Sequence, residues 1–142
     1  MPTTASITFG GQKLEPYDRP QDAQIVNLKL GASLTLAKGT VLGRITASNL
    51  WKAYANGNSD GSEVARAILQ YDVATDANGK HYFGTSAASE HGQSHTAVPA
   101  YISGNFRVAD LTGLDANGLA DFNGQLVFGD DLADANAVIH IG

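Results

Sequence analysis

Apolar residues in this chain alternate over short stretches, and turn-forming residues interrupt most of those stretches before they reach helical length. In "QIVNLKLGASLTL", Val26, Leu28 and Leu30 fall on one face while Asn27 and Lys29 fall on the other. That is the period of a strand with one buried face. In "KGTVLGRITA", a Lys38-Gly39 turn leads into a β-branched run, and "LWKAYA" sets Leu50, Lys52 and Tyr54 opposite Trp51 and Ala53. All three read as short strands. "AVPAYISGNFRVADL" reads as a further ribbon turning at Ser103-Gly104-Asn105, with Pro99 at an edge because it lacks a ladder donor. "AVIHIG" closes the chain as a strand, Val138 and His140 opposing Ile139 and Ile141. "DLTGLDANGLADFNGQLVF" supplies one short helix with Leu114, Leu119 and Phe122 turned inward. Sixteen glycines and only 16% charged residues agree with a turn-rich fold, there being too few Lys, Glu and Leu for a helical bundle. The expected class is mainly β, with one or two short helices.

"EVARAILQYDV" reads two ways. Val64, Ala67, Ile68 and Tyr71 recur at helical spacing, and Asp60 with Glu63 imitates a capping box. Asp60-Gly61, however, is a favoured hairpin turn, which would return the chain as a strand beside "LWKAYA". Asp76 to Thr96 reads as a long loop or flap rich in Gly, Ser and His.

Residues 1–22 read as an extended N-terminal arm, and residues 23–142 as a β-rich domain. The arm carries Pro2, Pro16, Pro20 and a Gly-Gly pair, with Ile7, Phe9, Leu14 and Tyr17 set at intervals. Such a segment buries too little apolar area to offset its own ordering entropy. It is either a disordered tail or a segment that orders on a partner, where "SITF" would add as a strand to a sheet edge.

Composition excludes several kinds of chemistry. The formal charge is −5, and the nine basic residues are thinly spread without a cluster, so direct nucleic-acid binding is not expected. There is no cysteine, hence no disulfide, thiolate metal site or thiol nucleophile. The start of the chain lacks the basic and apolar regions of a signal peptide, and no stretch is apolar enough to span a bilayer. A soluble protein made in the cytoplasm, without membrane contact, is expected.

The candidate sites are weak. Asn56, Asn58, Asp60 and Gly61 match the first half of an EF-hand loop, but Ala67 stands where the bidentate glutamate belongs. A plain turn explains them better. His91 and His95 lie four apart with Glu90 nearby, but Gly92 and two serines argue against the helix that would align them for zinc. His81 joins them as a candidate base, whereas no G-x-S-x-G or paired-carboxylate constellation accompanies them. The chain therefore reads as a binding protein, with no enzyme activity, cofactor or small-molecule substrate.

"KGTVLGRITASNLWKAYANGNSDGSEVARAILQYDV", "YISGNFRVADL" and "AVIHIG", in that order, resemble the phage lambda-type head decoration protein family. The resemblance implies that "EVARAILQ" is a strand, and that Ser48 to Gln70 is a hairpin with its tip at the Asp-Gly turn. It implies a β-clip fold built on a bent two-stranded ribbon. It also implies a homotrimer on the outer surface of the mature head, at threefold sites, stabilising the shell against packaged DNA. The virion would be its location and the major capsid protein its partner. Ile7, Phe9, Leu14 and Tyr17 would anchor the arm. Trp51, Tyr54 and Phe106 would lie at the trimer interface, or else in the chain's own core. The alternative is a carbohydrate-binding or adhesin-like β module, with Trp51, Tyr54, Tyr82 and Phe83 stacking on sugar rings.

Overall fold

The computed structural model describes residues 13–17, 22–86 and 94–142. The fold is mainly β. In chain order the strands are β1 (Gln24–Leu28), β2 (Thr35–Leu36), β3 (Val41–Arg44), β4 (Trp51–Ala53), β5 (Ala67–Leu69), β6 (Val73–Thr75), β7 (His81–Phe83) and β8 (Val98–Arg107). A short helix α1 (Ala116–Asp121), β9 (Gln125–Phe128) and β10 (Val138–Ile141) follow. Seven strands form one sheet in the order β4-β3-β5-β8-β10-β9, with β1 also paired to β8, and β2-β6-β7 form a second. All the named pairings are antiparallel.

The ten-residue β8 organises the large sheet. It pairs with β1 from Val98 to Ser103, with β5 at Ala100 and Tyr101, and with β10 from Gly104 to Arg107. The turn expected at Ser103-Gly104-Asn105 is absent: β8 continues through all three residues, with a register shift against β1 next to Ser103. Gly104 is there for its backbone, at φ +136° with the Phe106 ring only 3.2 Å from where a β-carbon would sit. Nor is Pro99 at a sheet edge. Its carbonyl accepts from the Gln70 amide just past the end of β5, so its missing N–H falls where that ladder has already stopped.

The hairpin expected for Ser48 to Gln70 is also corrected. β4 and β5 do not pair with each other; each pairs with a different edge of β3. The 54–66 connection therefore crosses over β3, and Ser62 passes directly above Gly43. Thr46 donates to the Asp60 carbonyl, and Arg66 to that of Leu42, fastening the crossing at both ends.

Two apolar clusters fill the body. One joins Val41, Tyr54, Ile68, Tyr101, Phe106, Ile139 and Ile141, with Leu114 and Leu119 packed against it and Phe122 inside it, as the helix pattern predicts. The other joins Leu28, Leu30, Leu42, Leu69, Val73 and Val98. α1 is capped by Asp115, whose carboxylate accepts from the Gly118 amide at 2.7 Å. The expected flap begins as a hairpin: β6 and β7 pair across the turn at Asp76, whose carboxylate accepts the Asn78 and Lys80 amides. Short strands carry little periodicity, which hid this one.

Candidate functional site

The crossing loop holds the residues that imitate half an EF-hand. Asp60 sits 2.8 Å from the Lys52 ammonium, and its other oxygen accepts from both the amide and the hydroxyl of Ser62. Asn58 donates to the same hydroxyl at 2.8 Å. The Lys52 and Ser62 hydrogen bonds hold the Asp60 carboxyl far below the usual carboxylate range. The loop's polar groups thus bond one another and shape a turn. Among the described residues, no three His, Cys, Asp or Glu side chains converge as a metal site.

His81 is fully buried on β7. Its Nε2 accepts from the Leu30 amide at 2.8 Å, which places the proton of the neutral ring on Nδ1. Among the described residues, Nδ1 finds no hydrogen-bond partner at ordinary geometry. His81 and His95 exchange backbone hydrogen bonds, and the His95 ring lies edge-on to Phe83 at 4.8 Å. Glu90 and His91 lie outside the described residues. His81 therefore acts as a strut between the small sheet and the Lys29-Leu30-Gly31 segment, which itself ladders onto Trp51.

Burial holds the His81 imidazole below the ordinary histidine range; Lys29 and the His95 ring deepen the effect, while the backbone of His95 and Gly79 opposes it. Unfolded, the same ring titrates at about 6.5. The unfolded chain then binds more protons as pH falls below that value, so this stabilisation is complete above it and is lost toward the lower folded value. Thermal unfolding should show a lower Tm at pH 5.5 than at 7.5. His81→Gln, which can keep an acceptor near Leu30 without titrating, should remove much of the difference. An equal drop in the variant would refute this assignment.

The expected arm and interface residues separate into distinct environments. Leu14 is 4% exposed within the first cluster. Its amide donates to the Gln70 carbonyl, and its carbonyl accepts from the Tyr101 hydroxyl, both at 2.7 Å. Tyr17 is half exposed, with the Arg107 guanidinium 4.8 Å above its ring. Ile7 and Phe9 lie outside the described residues. Tyr54 and Phe106 are 4% and 0% exposed inside the single chain, leaving almost no area for a neighbour to cover. Tyr54 donates to Asp115 at 2.7 Å, and burial together with that carboxylate raises its phenol well above the usual range. Trp51 is half-buried.

Two of the four sugar-stacking candidates are engaged within the chain. Tyr54 is buried, and Phe83 packs edge-on against Tyr71 at 5.1 Å. His140 is exposed, with Nδ1 2.8 Å from the Asn105 side-chain oxygen. Sequence reasoning missed the exposed apolar pairs Ile25-Val26 and Val127-Phe128. Nothing in the sequence marks them, because adjacent apolar residues occur equally in strands buried on both faces.

Residues 17–119 match the family model of the bacteriophage lambda head decoration protein D. The chain belongs to that family. No curated protein and no solved structure matches it. The matched span of this decoration protein runs from Tyr17 through β1 to β8 and most of α1, and includes the crossing over Gly43. Membership gives it a structural role as a capsid decoration protein of a phage virion.

Proposed function

We propose that the chain binds as a homotrimer to the outer surface of the mature phage head at threefold sites, holding neighbouring capsid subunits together against internal DNA pressure. The match of residues 17–119 to the head decoration family carries this reading. A β-clip architecture, the major capsid protein as partner and synthesis in the host cytoplasm belong to it. Within the arm at residues 1–22, residues 1–12 make the capsid contact, with Ile7 and Phe9 as its anchors. Leu14 fixes the base of the arm to the body, and Tyr17 lies exposed beside that base.

Each anchor contributes about 1.5–3 kcal/mol on burial, close to the ordering cost of the residues that carry it. Three arms on one rigid body share a single loss of translational freedom. Avidity then strengthens binding by about 10² to 10⁴ over one arm. Weak arms joined by symmetry can thus select a threefold site of the mature lattice. The formal charge of −5 helps keep free trimers soluble.

Sedimentation of the purified chain at micromolar concentration is expected to give a trimer. Deleting residues 1–12 should leave the trimer and its melting unchanged while lowering head affinity by about 10² or more. Full binding by the truncation would refute the arm's role.

A further inference from the structure

Five large apolar side chains are exposed among the described residues: Tyr17, Ile25, Val26, Val127 and Phe128. They form two groups. Ile25 and Val26 are consecutive on β1, so they point to opposite faces, yet they are 48% and 36% exposed. Gln24 and Asn27 are exposed as well, so most of β1 has neither face covered, and its named strand partner is β8.

The second group lies at the other end of β8. Tyr17, Arg107, Phe128, Ala135, Asn136 and Val138 line a hollow of about 280 Å³. Val127 adjoins it on β9, the last strand in the sheet order. Ile25 is in register with Tyr101, whereas Phe128 is in register with Val138, which pairs with Arg107. Those β8 positions are about 20 Å apart along the strand, at roughly 3.3 Å per residue. The patches are therefore separate and unlike: one is a bare aliphatic edge, the other an aromatic hollow.

A twofold contact uses the same patch on both copies. A closed ring of three needs two different patches on each copy, one meeting the other on the next subunit. We propose that the β1 edge of one copy, through Ile25, packs against the Tyr17-Arg107-Phe128-Val138 hollow of the next, head to tail around the ring. This contact rests on the homotrimer reading above. β9 and Val138 lie beyond residue 119, outside the matched family span, so family membership does not assign them this role.

The test uses Ile25→Asp and Phe128→Asp, with sedimentation read at concentrations where the wild type is trimeric. Each variant alone should run as a monomer that still melts in one cooperative transition, at a lower Tm than the wild-type trimer because the stabilisation from association is lost. An equimolar mixture should form a heterodimer, because one variant keeps an intact β1 edge and the other an intact hollow. Variants that remain trimeric, or a mixture that stays wholly monomeric, would overturn the head-to-tail contact. Ile25→Ser and Phe128→Ser give the same test if aspartate impairs folding. A monomeric wild type would instead remove the trimer reading and this contact with it.

Discussion

Gly43→Ala is expected to lower stability by about 3 kcal/mol, the upper end for overpacking in a well-packed core. That corresponds to a fall in Tm on the order of 10 °C for a domain of this size. A β-carbon at Gly43 would lie 2.4 Å from the Ser62 carbonyl oxygen and 2.6 Å from its Cα. Both are backbone atoms, so rotating a side chain cannot relieve the contact. The crossing would have to lift from β3, straining the Thr46–Asp60 and Arg66–Leu42 backbone hydrogen bonds that hold it. Gly57, in the same connection, has nothing within 4 Å of its β-carbon position. Gly57→Ala should therefore fall within about 0.5 kcal/mol of wild type. Thermal and urea unfolding of the two variants checks the pair. Equal stability would mean that the connection does not cross β3 as described.

Leu14→Ala should cost about 3 kcal/mol, within the usual range for truncating a buried leucine. Leu14 is almost fully buried, and the Gln70 carbonyl and Tyr101 hydroxyl fix its backbone on both sides. Gln70 also donates its side-chain amide to the Tyr101 hydroxyl at 2.9 Å, so the residue closes a buried polar network. Deleting residues 1–17 should carry this penalty, whereas deleting residues 1–12 should not. The contrast separates loss of fold from loss of capsid contact. Leu14→Ala with a melting temperature within about 1 °C of wild type would contradict the packing of this segment.

Local pattern made much of the fold legible. The alternation through Leu28 and Leu30, the β-branched run at Val41 and the closing Val138–Ile141 segment all became strands or their direct continuation. Leu114, Leu119 and Phe122 turned inward around a short helix, as their spacing required. Pairing was less legible, because it is non-local. Gly, Asn and Asp suit a crossover as well as a hairpin tip, and nothing near Asp60-Gly61 reveals that β3 lies between β4 and β5. Gly104 misled for a related reason: a glycine marks an unusual backbone angle without saying whether the chain turns there.

The same limit governed the candidate surfaces. Leu14 stood alone in a proline-rich segment, and its burial depends on Gln70 and Tyr101, far away in the sequence. Tyr54 and Phe106 were legible as large apolar residues, but composition cannot tell an intramolecular core from an interface. Ile25 and Val26 show the reverse case. They look like an ordinary strand in sequence, and only the sheet shows that both are exposed.

The most direct measurement is an image of mature heads of the chain's own phage after incubation with the purified protein. The account predicts three-lobed density on the outer surface at threefold sites, absent from unexpanded heads. Bare mature heads at saturating protein concentration would contradict it.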